Sequence, residues 1–202
     1  MSPQPENSTV SVAGHSSSTD VPEFNLQERK FLLRLAHDAI ESALDGREMP
    51  PDPPSPHLAE ARGAFTTLYL QDQLRGCVGF VFPVESLYHT VIETARAAAF
   101  EDARFCPVTR EEAPQVRVSL SILSGLEEIE PDQVEVGRHG LVISLHGQRG
   151  LLLPQVPVEY RWTPVTFLEQ TCRKAGLPRD AWKQGARLEA FTAEVFGDGD
   201  LT

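Results

Sequence analysis

Two β-prone runs, Ala64 to Leu70 and Leu74 to Phe82, stand three residues apart around Gln71-Asp72-Gln73. So short a connection cannot hold the crossover that parallel strands need, and the pair therefore reads as an antiparallel hairpin. Downstream, Val116, Val118, Leu120 and Ile122 alternate with Arg117, Ser119 and Ser121, the period-two pattern of a strand with one buried face. Leu141–Leu145 and Gly150–Leu153 flank His146-Gly147-Gln148-Arg149 as a second hairpin, and a final strand runs from about Leu188 to Phe196. Regular strand–helix alternation is absent, which argues against a doubly wound parallel sheet. The pattern predicts an α+β fold, a mainly antiparallel sheet with flanking helices.

Helices fall between these strands. Asn25 and Glu28 have capping-box spacing, Leu32, Leu35, Ala36, Ala39, Ile40 and Ala43 recur at helical period, and Gly46 is a natural stop. A helix is expected over 26–44. Leu87, Val91, Ala95 and Ala98 mark another over 86–100, and Thr109 with Glu112 suits a short capped turn. Thr163-Pro164 reads as an N-cap followed by proline at the first helical position, with Gly176 closing that helix. Residues 1–22 hold six serines and no lysine or arginine, the composition of a disordered tail. Five prolines within residues 50–56 form a stiff connector inside a domain spanning 23–197, followed by a short acidic tail at 198–202.

At 202 residues the chain suits one domain, and its net charge of −11 argues against coating nucleic acid or an anionic membrane. A locally basic stretch, 161–187, carries a net +4, with Trp162, Phe167 and Trp182 its only aromatics. No run approaches the ~18 apolar residues of a membrane span. The first basic residue is Arg29, unlike a secretory signal, and three cysteines at wide spacing do not suggest a disulfide framework. A cytoplasmic protein is expected.

The densest chemistry lies in Leu74-Arg75-Gly76-Cys77-Val78-Gly79. Alternation places Arg75, Cys77 and Gly79 on one face and Leu74, Gly76, Val78 and Phe80 on the other. A guanidinium beside Cys77 would favour the thiolate, and Gly79 would leave room above the sheet for a small molecule. Equally, Cys77 fits as a small buried hydrophobe. Gly137-Arg138-His139-Gly140 makes His139 the best candidate base, although a loop histidine also serves as a structural hydrogen-bonder. Glu101, Asp102 and Arg104 form a polar cluster or ordinary surface salt bridges. Neither C-x-x-C nor H-x-x-x-H spacing nor a phosphate loop occurs, so no metal or cofactor is expected from motifs.

The hexapeptide Leu74–Gly79 resembles the signature of the AMMECR domain family, an uncharacterised family that usually has isoleucine where Val78 stands. Further matches in the same order are Arg62-Gly63-Ala64-Phe65, Asp102-Ala103-Arg104-Phe105, Gly137-Arg138-His139-Gly140, Leu152-Leu153-Pro154-Gln155-Val156 leading to Glu159 and Trp162, and Phe167 through Leu177. They span about 25–196; Ala103 and Pro157 depart from the usual pattern without removing a polar group. The resemblance implies two closely packed lobes forming one domain, with a cleft lined by the signature residues. It also implies an association, in prokaryotes, with a Memo-like protein and a radical-SAM protein.

Two readings follow. In the first, the chain is a small-molecule enzyme or ligand-binding domain, with Cys77 as nucleophile, Arg75 stabilising it and His139 as base. Gly76, Gly79, Arg104 and Glu159 would complete the ligand site. In the second, it is a non-catalytic scaffold or adaptor for a metalloenzyme or radical-SAM partner, and Arg75 ties two lobes together. Nucleic-acid binding through 161–187 is a third and weaker reading.

Overall fold

Asn25 opens the first helix, α1 (Leu26–Asp45): its side chain accepts from the Gln27 and Glu28 backbone N–H groups while Glu28 reaches back to the Asn25 N–H. Gly46, at φ 68°, ends it in the left-handed conformation. The structure, a computed structural model, describes residues 22–50 and 53–200. Apart from Pro22, the expected N-terminal tail lies outside the described residues, as do positions 51–52 of the proline-rich connector and 201–202.

The first hairpin pairs β1 (Ala64–Leu70) with β2 (Gln73–Phe80). Its turn is tighter than the sequence suggests: Gln71 (φ 50°) and Asp72 (φ 63°) both take left-handed conformations and Gln73 already pairs with Leu70. Ser86 caps α2 (Leu87–Phe100), and β3 (Arg117–Leu123) then pairs with the far side of β1. Here the chain leaves for a second sheet, built from β4 (Glu127–Glu128), β5 (Gly140–Leu145), β6 (Gln148–Leu152) and β7 (Arg187–Phe191). Between β6 and β7 come α3 (Gln155–Glu159) and α4 (Pro164–Lys174), the latter capped by Thr163. Finally β8 (Ala193–Gly197) returns to pair with β3.

The expected antiparallel architecture is therefore present as two four-stranded sheets, in the orders β2-β1-β3-β8 and β4-β7-β5-β6, with every pairing antiparallel. The single strand expected over 188–196 divides at Thr192 into β7 and β8, one in each sheet. Ser124 and Thr192, where the chain leaves and returns, are bonded together: Ser124 N–H donates to the Thr192 carbonyl and Thr192 N–H to Ser124 Oγ, both at 2.9 Å.

Each sheet buries one face under helices. In the first lobe Ala64, Leu68, Val118, Leu120 and Ile122 pack with α1 and α2 residues such as Leu32, Val91 and Ala95. Within that core the hydroxyls of Thr66 and Thr94 are 2.8 Å apart, and Thr94 also donates to the Thr90 carbonyl. In the second lobe Leu141, Leu188 and Ala190 meet Phe167 and Leu168 of α4, while Ile143 meets Cys172. The other two faces meet in a seam of Leu123, Val142 and Phe191 with Phe65, Val81 and Leu151. The expected acidic tail is partly folded in: Asp198 accepts from the Val118 N–H at 2.7 Å and from His37 at 2.9 Å.

Candidate functional site

The signature residues lie on β2, the outermost strand of the first sheet, and a bulge decides where they point. Leu68 faces Gly76 but Tyr69 faces Leu74, so Arg75 is an extra residue with no opposite number. The irregularity moves Leu74 to the face of Tyr69, Thr67 and Cys77, away from the Gly76 face where simple alternation puts it. Arg75 swings off the edge: its guanidinium donates to Glu112 (2.9 Å) and to the carbonyls of Cys106 (2.7 Å) and Pro107 (3.2 Å), leaving the side chain 12% exposed. Thr109 and Glu112 cap each other's backbone N–H groups, as their spacing suggests, and this fixes the carboxylate that receives Arg75. That arginine holds the Glu112 carboxyl below its usual range.

Both glycines are there for backbone room. A Cβ on Gly76 would stand 2.0 Å from the Ala98 carbonyl oxygen of α2. At Gly79 the space expected for a small molecule is filled by the Phe65 ring, 2.2 Å from where a Cβ would be. Sequence shows that such a position needs room; the occupant comes from a strand paired alongside.

Cys77 is half-buried, and its Sγ accepts a hydrogen bond from Thr67 Oγ1 at 3.3 Å. Its edge-facing backbone groups are both taken. The Cys77 N–H donates to Asp102 Oδ2 (2.9 Å), and Arg104 donates to the Cys77 carbonyl (3.2 Å) while gripping Asp102 at 2.7 Å. Arg104 holds the Asp102 carboxyl well below the usual carboxylate range, with the Cys77 and Arg104 N–H groups adding to this against a desolvation cost. Arg104 is in turn held above its usual proton affinity, first by Asp102 and in smaller part by the neighbouring Cys77 thiol. Thus the guanidinium that meets Cys77 belongs to Arg104, from the Asp102-Ala103-Arg104-Phe105 block, whereas Arg75 serves the 106–112 loop.

The remaining expected residues lie in the second lobe. His139, in the turn before β5, accepts the Glu135 N–H at Nδ1 (3.2 Å), and burial lowers its proton affinity more than Glu135 raises it. Glu159 is exposed at the last position of α3. Two surface depressions lie away from Cys77, one of about 400 Å³ beside Arg149, Arg187 and Glu189 and one of about 350 Å³ beside Met49, His89 and Arg96. The one metal-ligating cluster among the described residues, Glu23, His57 and Glu60, is already engaged, because Arg62 bonds both carboxylates. No described helix is long and apolar enough to cross a membrane.

Comparison with known proteins adds three findings. Residues 33–196 match the AMMECR1 family model. A protein of Aquifex aeolicus is 42% identical over 175 residues, covering 82% of this chain and 90% of that protein, and one of Pyrococcus furiosus is 44% identical over 181 residues, covering 83% and 86%. The crystal structure of an uncharacterized protein from Pyrococcus horikoshii superposes with a TM-score of 0.66 at 42% identity, covering 83% of this chain and 89% of that one.

Proposed function

The chain belongs to the AMMECR1 family, and from that premise we propose that it is a small-molecule-binding domain whose working group is the Cys77 thiol. One observation carries this reading: a half-buried sulfur that accepts from the Thr67 hydroxyl, on a residue whose carbonyl accepts from the Arg104 guanidinium, itself locked by Asp102. A thiol is a good nucleophile, and these neighbours fix the groups around it. Cys77 is the thiolate contact or nucleophile; Arg104 stabilises it or receives an anionic ligand group; Arg75 is a positioning residue that sets the bulge. A proton from the thiol would leave to solvent or ligand, since the contacts of His139 lie within its own turn.

Alkylation of the folded protein with iodoacetamide, followed by peptide mass spectrometry, tests this directly. Exposed Cys106 and buried Cys172 serve as internal references. Cys77 is expected to react in the native state, and Arg104→Ala to slow it about three- to tenfold while leaving Cys106 unchanged. If Cys77, like Cys172, is modified only on unfolding, the reading fails.

A second reading keeps the domain as an adaptor, and it draws on two features of the same strand. Arg75 is enclosed by Glu112 and two carbonyls, a structural tie within the first lobe and not, as expected, between the two lobes. Just beyond lie exposed Phe80, Phe82 and Val84, an apolar surface suited to a protein partner. A Memo-like or radical-SAM partner, as the resemblance implies, would dock there. Loss of co-purification in Val84→Asp, with Cys77 alkylation unchanged, separates this reading from the first.

A further inference from the structure

The face of the second sheet that joins the seam does not stay apolar along its length. Near the seam it presents Val142, Leu151 and Phe191. Toward the β5–β6 turn the same face becomes a transverse row, Arg149–Ser144–Arg187, because Ser144 pairs with Arg149 on one side and Arg187 on the other. Behind the row sits Glu189, paired with Val142, with a side chain only 9% exposed. Its two oxygens are divided between the arginines, Oε2 to Arg149 at 3.4 Å and Oε1 to Arg187 at 3.1 Å. Phe82, from the first lobe, stacks on the Arg149 guanidinium at 4.2 Å.

We propose that this row is a binding site for the oxyanion of a small molecule, a phosphate or carboxylate group seated over Ser144 between Arg149 and Arg187. Four observations support it. The buried carboxylate and the Phe82 ring fix the direction of both guanidiniums, so little side-chain freedom is lost when a ligand arrives. The arginines remain 41% and 59% exposed and keep N–H groups beyond those used on Glu189. A serine between two long cations leaves a gap, and the depression there measures about 400 Å³, within the range of small-molecule sites. Lastly, Glu189 cancels only one of the two positive charges; Glu128, 3.6 Å from Arg187, is 70% exposed and can be displaced by an incoming anion. With Glu128 in place the recess is balanced, two guanidiniums against two carboxylates, and its displacement leaves one net positive charge for the ligand.

The site uses none of the residues around Cys77, so either proposal can fail without the other. Calorimetric titration of the full chain at low ionic strength, with inorganic phosphate and with succinate as probes, provides the test. Saturable one-to-one binding of at least one probe is expected, and which probe binds tells the phosphate from the carboxylate source. Arg187→Gln, an exposed substitution with little bearing on folding, should weaken it about tenfold or more. Ser144→Leu, which keeps both arginines but fills the gap, should abolish it with circular dichroism unchanged. No saturable binding of either probe overturns the proposal, as does binding that Arg187→Gln or a folded Ser144→Leu leaves intact.

Discussion

At Gly76 an added Cβ would meet the Ala98 carbonyl oxygen at 2.0 Å, and a backbone carbonyl in the last turn of a packed helix cannot turn aside as a side chain does. Gly76→Ala should therefore force β2 and α2 apart, at a cost of about 3 kcal/mol or more. Gly125, whose Cβ would meet nothing within 4 Å, is the control: Gly125→Ala is expected within about 0.5 kcal/mol of the parent. Equal urea midpoints for the two variants would contradict the close approach. Residue types were readable here while their partners were not. The paired glycines announce tight backbone spacing, yet Ala98 and Phe65, which create it, belong to other elements. Arg75 shows the same limit, since the register shift that expels it depends on β1 as much as on β2.

Elements whose signals are local emerged as the sequence describes them: α1 with its capping box, α4 with Thr163 and Pro164, and the alternating β3. The segment from Leu188 to Phe196 did not, because a continuous apolar pattern cannot show that a chain changes sheets at Thr192. The end of β8 is pinned to α1 by His37 and Asp198, and this contact titrates. His37 is raised above its ordinary 6.5, mainly by the Asp198 bond, with Glu41 and Asp38 assisting against burial. Burial pushes the Asp198 carboxyl up, but the bonds from His37 and the Val118 N–H outweigh it and leave it below 3.8. A raised histidine stabilises fully below 6.5 and loses that contribution as pH climbs through its folded value. A lowered carboxylate stabilises above 3.8 and loses it as pH falls through its own. Comparison of His37→Gln with the parent by denaturant unfolding should show a deficit of about 1 kcal/mol between roughly pH 4 and 6.5, shrinking at higher pH. A deficit that grows from pH 6.5 to 9 would rule out the charged pair.

For the molecule as a whole, the seam between the sheets decides whether two lobes unfold as one. Phe65 is the first lobe's ring in that seam, and Phe65→Ala should cost about 2–4 kcal/mol. The loss should also uncouple the lobes. Both tryptophans, Trp162 and Trp182, belong to the second lobe, whereas the long helices α1 and α2 belong to the first. Fluorescence and far-UV circular dichroism are expected to share one transition in the parent and to separate in Phe65→Ala. Coincident curves in the variant would show that the Ser124–Thr192 junction alone keeps the lobes cooperative. The choice of two sheets over one was not legible, because alternation reports that a strand has a buried face but not which body covers it.

The carboxylate and guanidinium of Asp102 and Arg104 occupy the outward N–H and C=O of Cys77 on the last strand of its sheet. A strand in that position is a template: its unpaired groups invite the strand of another copy to extend the sheet, and growth by addition has no natural end. The two side chains act as a stopper, placing charge where a neighbouring backbone would otherwise lie. A chain stripped of them would carry its most distinctive strand as an adhesive margin, which gives this acid–base pair a reason to persist in self-avoidance alone.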